Sequence, residues 1–183
     1  MNRCGWAKDE LMIKYHDNEW GIPVHDDRKL FEMLILEGAQ AGLTWATILK
    51  RREGYCNAFD NFDPNKVSKY DTKNTSQLLN DAGIIRNKLK IKSAINNAKR
   101  FLEIQKEFGS FDKYLWTFVD YKPIVNNYKS LSNIPPSTPL SDKLSKDLKN
   151  RGFSFVGSTI CYAFLQSVGV VNDHLTDCFT RKK

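Results

Sequence analysis

The apolar residues of this chain recur at helical spacing, and almost nothing alternates with the period of two that a half-buried strand requires. The clearest stretch begins near residue 30. Wound at about 100° per residue, Leu30, Met33, Leu34, Glu37 and Ala41 fall on one face, while Phe31, Ile35 and Leu36 extend apolar surface around nearly the whole circumference. Asp26 and Asp27 offer caps for a helix opening at Arg28 or Lys29, and Gly42 breaks it. A shorter helix is expected around Asp9 to His16. Thr44 starts another that reaches about Phe59, and Asp63-Pro64 reads as a cap with proline at the first helical position. Thr75 to Asn80 is amphipathic. The longest periodic run is Lys88 to Phe108, with Ile91, Ala94, Ile95, Ala98, Phe101, Leu102 and Phe108 inward, followed by a short helical segment within 111–121. Residues 123–139 hold four of the six prolines and read as loop. Ser141 caps a helix from Asp142 to Asn150, residues 152–157 form an extended apolar turn, and Ser158 to Val168 is a mostly buried helix. The fold class is all-α, without internal repeats.

One position breaks the pattern. Glu37 is flanked by hydrocarbon whichever way its helix packs, whereas Glu32, on the opposite side, is expected to be solvated. An isolated ionised carboxylate in such surroundings costs several kcal/mol unless something binds it. Glu37 therefore either pairs with a fixed internal donor or waits for a ligand.

Composition narrows the classes. With 183 residues, 41% of them hydrophobic, the chain can build one domain or two small lobes around a shared core. The apolar runs are too short and interrupted to span a bilayer, and Met-Asn-Arg-Cys-Gly-Trp lacks an apolar signal core, so no membrane partner and a cytoplasmic location are expected. The four cysteines do not form the close-set framework of a small secreted scaffold, and cytosolic thiols stay reduced. The net charge of +7 suits a polyanion such as nucleic acid. Much of the excess sits in Lys50-Arg51-Arg52, Arg86 to Lys92, Lys99-Arg100 and the tail Arg181-Lys182-Lys183.

Three groups of residues could carry chemistry. His174 and Cys178 stand at i, i+4, which sets two ligands on one face of a helical turn; with Cys4 and His16 they offer a Cys₂His₂ set that would close a tetrahedral zinc shell. A closed shell means structure rather than catalysis, and the spacing also arises by chance. Next, residues 78–91 read as helix, turn, helix. Gly83 can adopt positive φ, and the amides of Ile84 and Ile85 lie ahead of a helix N-terminus where backbone N–H groups favour an anion, with Arg86, Lys88, Lys90 and Lys92 around them. Such a hairpin grips a DNA backbone without reading bases, although an ordinary corner with solvated lysines has the same pattern. Finally, Trp6, Tyr15, Trp20 and Trp45 cluster in sequence around Glu37. They are either core or the walls of a pocket. A flipped purine needs aromatic faces to stack on and an acceptor for its exocyclic amine.

Cys4-Gly-Trp6, Tyr15-His-Asp-Asn-Glu-Trp-Gly21, Leu36-Glu-Gly-Ala-Gln-Ala-Gly-Leu-Thr-Trp45, Asp81-Ala-Gly-Ile-Ile-Arg86, Arg151-Gly-Phe-Ser-Phe-Val-Gly-Ser-Thr-Ile-Cys-Tyr162 and Asn172-Asp-His174 resemble the DNA-3-methyladenine glycosylase I family of constitutive bacterial alkylation-repair enzymes. The resemblance runs in order along nearly the full chain. It implies a helix-hairpin-helix DNA glycosylase fold, a single unit with one lobe over about 28–122 and a second, zinc-stapled lobe from about 1–27 plus 139–183. Cys4, His16, His174 and Cys178 match the ligands of one structural zinc. Glu37, Tyr15 and Trp45 match the residues that contact the excised base, with Trp6 and Trp20 lining the pocket, and Gly83, Ile84, Ile85, Arg86 and Lys88 are the expected DNA-backbone contacts. The chain departs from the family pattern in Leu-Thr-Asp before Cys178 and in a short basic tail. The family's hairpin itself departs from the commoner helix-hairpin-helix pattern.

The implied partner is double-stranded DNA carrying alkylated adenine, met by a monomer. Glu37 is the one catalytic candidate. Glu103, beyond the hairpin, is expected on a solvated face, and no lysine stands out as desolvated, so hydrolysis without strand cleavage is expected. Two rivals remain: a zinc-stapled DNA-binding module without chemistry, and a hydrolase or deaminase of free nucleosides, for which the metal should keep an open position.

Overall fold

The computed structural model describes residues 2–182, so Lys183 of the basic tail lies outside the described residues. It is mostly helical. In chain order the helices are α1 (Glu10–Asn18), α2 (Asp27–Gln40), α3 (Trp45–Leu49), α4 (Arg52–Ala58), α5 (Pro64–Val67), α6 (Thr72–Asn80), α7 (Lys88–Phe108), α8 (Phe111–Trp116), α9 (Pro139–Asn150) and α10 (Ser158–Ser167). The all-α expectation holds but for one short exception. Within the proline-rich connector, β1 (Ile124–Val125) pairs in parallel with β2 (Val171–Asn172), which lays the connector along the C-terminal segment.

α2 is the element the others pack on. Leu30, Phe31, Met33, Leu34, Ile35 and Leu36 are all buried, as an apolar circumference requires, and α3, α7, α8 and α10 lie against it. Phe31 meets Phe101 of α7 edge-on at 5.1 Å, and Phe101 stacks on Phe111 of α8 at 4.2 Å. Asp26 caps α2 by accepting from the amide of Lys29. Asp27 does something else: its carboxylate accepts from the amides of Phe111 and Asp112 and from Gln105, so the first residue of α2 caps the start of α8.

Several element boundaries differ from the sequence expectation, each for a local reason. The helix expected from Thr44 to Phe59 breaks at Lys50–Arg51, and the redirected α4 brings Gly54 against the turn after α6. There a Cβ on Gly54 would lie 2.3 Å from the carbonyl oxygen of Gly83. α6 opens at Thr72 because Asp71 and Asn74 form a capping box. α9 opens at Pro139 rather than Asp142. Thr138 is its cap, proline fits the first turn, and Ser141 returns a bond to the Thr138 amide.

The chain ends meet. The amide of Phe179 donates to the carbonyl of Asn2, and residues 21–24 run along the end of α10 through Gly21 N to Gln166 O and Val24 N to Val168 O. Gly169, at φ +68°, permits this approach; a Cβ there would sit 2.2 Å from the carbonyl carbon of Ile22.

Candidate active site and metal centre

A cavity of about 390 Å³ opens between the N-terminal segment, α2, α3 and α10. Trp6, Tyr15, Trp20, Glu37 and Trp45, all singled out from sequence, line it together. Trp6 and Trp20 meet nearly perpendicular at 5.1 Å, and Tyr15 and Trp45 are tilted at 5.3 Å. Thr44 caps α3 and so fixes Trp45 at its first residue. The indole nitrogen of Trp45 is buried without a partner among the described residues. The cavity also takes Met12, Gln40, Leu131, Ile134, Ala163 and Gln166, none of which sequence reasoning named. Gln40 stands three residues after Glu37, close to one helical turn, which was the available signal. Gln166 lies far along the chain and had none. A smaller cavity of about 190 Å³ shares Glu37, Gln40 and Ala163 and reaches Gly42 and Leu43.

Glu37 is 4% exposed. Burial pushes its carboxyl up to about 8, against the smaller opposing effect of a hydrogen bond with Ser167. Burial therefore favours the protonated form of Glu37 over the bare carboxylate that the sequence pattern suggested. Tyr15 beside it is held well above the usual phenol range, by burial first and then by Glu37 and Glu19. Glu32 corrects an expectation. It is not solvated, because Arg52 of α4 donates Nε to it at 2.6 Å while gripping Glu19 through both terminal nitrogens, and Lys29 joins both carboxylates. This network ties the end of α1 to α2 and α4.

The metal-ligand candidates also converge. Ligand atoms of Cys4, His16, His174 and Cys178, all buried, lie within 4.8 Å of one another and could hold a metal ion. Residues 174–178 do not form the helical turn that the i, i+4 spacing suggested. Cys178 N donates to Leu175 O, and this tight turn brings Cys178 Sγ to 3.6 Å from His174 Nδ1. Each histidine is oriented by its other nitrogen: His16 Nδ1 lies 2.8 Å from Asp17 Oδ1, and His174 Nε2 lies 2.9 Å from the Trp20 carbonyl. That leaves His16 Nε2 and His174 Nδ1 facing the sulfurs. Burial holds His174 down at about 4, so its imidazole is neutral; its Nδ1 also lies 2.8 Å from the Thr180 hydroxyl, which in turn lies 3.0 Å from Cys178 Sγ. The remaining thiols stay out: Cys161 is a core residue bonded to the Val156 carbonyl, and Cys56 reaches Asn61.

The turn between α6 and α7 is only partly as expected. Gly83 is not among the positive-φ residues. Its small size serves the backbone contact with Gly54 instead. Its amide donates to Asp81 Oδ1, the Ile85 amide lies 3.3 Å from the Tyr55 hydroxyl, and the Asn87 amide donates to the Ile85 carbonyl. Asn87 caps α7 through the amides of Leu89 and Lys90. Arg86 and Lys88 are exposed, and Ile84 is buried. Lys90 departs from the expectation that no lysine is desolvated: burial lowers its pKa, and Nζ donates to the carbonyls of Ala39 and Ala41. Glu103 is exposed and paired with Arg100, as expected of a surface residue.

A family model for methyladenine glycosylases matches residues 6–181. The DNA-3-methyladenine glycosylase 1 of Escherichia coli (strain K12) is 51% identical over 179 residues, covering 97% of this chain and 96% of that protein. A crystal structure of 3-methyladenine DNA glycosylase I superposes with a TM-score of 0.95 at 51% identity, over 97% of this chain and 98% of that one. A variant of 3-methyladenine DNA glycosylase I, solved in complex with 3-methyladenine, gives a TM-score of 0.96 at 37% identity, over 100% of this chain and 99% of that one.

Proposed function

This chain belongs to the methyladenine glycosylase family, and we propose that it takes 3-methyladenine out of double-stranded DNA into the aromatic cavity and reads it there with Glu37 and Tyr15. Its activity is hydrolysis of the N-glycosyl bond of 3-methyladenine in alkylated DNA, a repair reaction. The observation that carries the site assignment is a buried carboxyl group in the wall of an aromatic cavity, with a tyrosine beside it.

Methylation at N3 leaves adenine cationic while it is attached to deoxyribose. Breaking the bond from the anomeric carbon returns the bonding pair to the base, which departs neutral. Water adds its oxygen to the anomeric carbon and gives up a proton to solvent. Such a bond is already labile, so discrimination is the harder task. Tryptophan faces favour a cationic ring through their quadrupoles. The cation also favours the ionised form of Glu37, so the lesion drives off the proton that the empty pocket retains. Glu37 and Tyr15 hydrogen-bond the base edge, Trp45 stacks, and Trp6 and Trp20 close the wall. Flipping a damaged base costs less than flipping a sound one, which adds to the selection.

The α6–turn–α7 unit serves as the helix-hairpin-helix of this reading, with Arg86, Lys88 and the turn backbone of Gly83, Ile84 and Ile85 against the phosphates. The amides of Gly83 and Ile85 are engaged inside the protein, which shifts the weight of that contact to the side chains and to Ile84. The cavity lies where the lobe of about 28–122 meets the lobe made from about 1–27 and 139–183. Lys90, the one desolvated lysine noted, is committed to two carbonyls, and Glu103 to Arg100. Neither is placed as a nucleophile or its base, which supports hydrolysis without strand cleavage.

Zinc fits the four ligands. Zn–S of about 2.3 Å and Zn–N of about 2.0–2.1 Å at a tetrahedral angle set sulfur and nitrogen about 3.5 Å apart. The S···N separations are 3.7 Å for Cys4–His174, 3.5 Å for Cys178–His16 and 3.6 Å for Cys178–His174. Four protein ligands leave no open position, so the ion would fasten the chain ends and take no part in the reaction. Among the described residues no helix is long and apolar enough to cross a membrane. A monomer acting on DNA in the cytoplasm completes the reading.

One assay tests it. The protein is incubated with methylated duplex DNA, and released bases are chromatographed alongside the intact strands. Free 3-methyladenine with uncut strands is expected. Binding without release would point to a zinc-stapled DNA-binding module, and no effect on DNA to free nucleosides.

A further inference from the structure

Lys90 sits among the cations that surround the hairpin, yet it does not face outward with Arg86 and Lys88. It is half-buried, and its ammonium donates to the carbonyl of Ala39 at 2.7 Å and to that of Ala41 at 2.6 Å. These are carbonyls at the C-terminal end of α2, where the helix dipole is negative. α2 supplies no basic residue to its own last turn. The cation that caps it comes from the first turn of α7, three residues after the hairpin turn ends at Asn87.

The two capped carbonyls bracket Gln40, which lines both cavities, and lie two and four residues beyond Glu37. Immediately after them come Gly42, at φ +76°, and Leu43, which form the rim of the smaller cavity. One side chain thus runs from the segment that grips DNA to the segment that carries the base reader. The other ties of the turn, Gly54 against Gly83 and Ile85 N to the Tyr55 hydroxyl, go to α4.

We propose that Lys90 is a positioning residue, which couples the seating of the hairpin on the DNA backbone to the register of Glu37, Gln40 and the Gly42–Leu43 rim in the excision-competent site. The proposal rests on the glycosylase reading given above. Lys90 makes no phosphate contact in it. Its charge is consumed internally, and its effect on the reaction passes through α2.

Lys90→Met keeps the length of the stem and removes the donor, Lys90→Arg keeps the charge, and Lys88→Met removes an exposed cation for comparison. For each, single-turnover release of 3-methyladenine from a methylated duplex, duplex affinity against salt, and thermal midpoint are measured. Misplacement of a reacting group by a fraction of an ångström to an ångström slows a reaction by up to about 100-fold. Lys90→Met is therefore expected to slow release from the bound complex by about 10-fold or more. Its duplex affinity should stay within about twofold and its salt slope unchanged, with Lys90→Arg recovering most of the rate. Lys88→Met should show the reverse, with weaker binding, a salt slope reduced by about one, and a near-normal rate once bound. If Lys90→Met loses affinity and salt slope as Lys88→Met does, Lys90 is a phosphate contact and the proposal fails. It also fails if Lys90→Met lowers only the thermal midpoint while the bound complex reacts at the wild-type rate. Absence of release by the unmodified chain would overturn the glycosylase reading as well, whereas normal release by both chains overturns this proposal alone.

Discussion

Glu37 is held as a neutral acid at a price that depends on pH. Its folded pKa of about 8 lies above the ordinary carboxylate value, so on raising the pH the unfolded chain loses its proton first. Stability is therefore unaffected below about pH 4.5, falls as pH rises towards about 8, and is level beyond. Glu37→Gln, which carries no proton to lose, is expected to raise the thermal midpoint by about 5 °C or more at pH 8.5 and to change it little at pH 4.5. Melting curves at the two pH values check this; equal shifts at both would remove the buried-acid account. The same substitution should lower kcat/KM for 3-methyladenine release by about 10- to 100-fold, the loss of one hydrogen bond to a charged acceptor. For the unmodified enzyme kcat/KM should climb with pH towards about 8, because the cationic base pairs with the ionised acid, and this limb should be absent in Glu37→Gln. The facing groups do not supply a competing titration: Tyr15 is held above the usual phenol range, and Glu19 is lowered by Arg52. At this scale the sequence was legible where the neighbours along a helix decide the environment, as for the hydrocarbon around Glu37. It was not where the partner arrives from another element. Ser167 reaches Glu37 from α10, and Arg52 reaches Glu32 from α4; neither leaves a mark in the local pattern.

Helix boundaries show the same division. The ends of α7 were readable from the apolar period of Lys88 to Phe108, and in the structure Asn87 caps one end and Gly109, at φ +88°, the other. The break between α3 and α4 was not, because it exists to bring Gly54 onto Gly83. Gly54→Ala would set a methyl group 2.3 Å from the Gly83 carbonyl oxygen, where backbone must move. Overpacking of this kind costs about 1–3 kcal/mol. The displaced element is the turn proposed to meet DNA, so duplex affinity should fall along with the thermal midpoint, while affinity for free 3-methyladenine stays near normal. Fluorescence titration with the base and with a duplex separates the two. A normal duplex affinity would mean that the turn tolerates the shift, and that its backbone does not set the DNA contact. The i, i+4 spacing of His174 and Cys178 is instructive in another way. The inference that they share a site holds, although its premise of a helical turn does not, because the turn at Leu175–Cys178 brings the same two atoms together.

Across the whole molecule, one arrangement joins the candidate metal centre to the proposed base pocket. Cys4 and His16 sit on the segment that supplies Trp6, Tyr15 and Trp20, and His174 and Cys178 follow α10, which supplies Ala163 and Gln166. The His174 ring donates to the Trp20 carbonyl, and His16 lies 5.2 Å from the Trp6 ring. The pattern of the sequence, with ligands only at its two ends, already implied this closure. The β1–β2 pairing that helps hold it was invisible, being two residues long on each side. If the ion fastens the ends and does nothing else, its identity should not matter to the reaction. Loading the site with cobalt(II), which accepts the same tetrahedral ligands as the proposed zinc, should give the absorption of a tetrahedral thiolate–imidazole complex at one ion per chain. The rate of 3-methyladenine release should be unchanged. Removing the ion altogether should lower the thermal midpoint, since ligand binding is folding free energy. The loss should shrink at acid pH, where protons compete for the thiolates and imidazoles and the ion stabilises less. A rate that changed with the metal while the midpoint held would place the ion in the chemistry. Four protein ligands, which leave the ion no open position, argue that it will not.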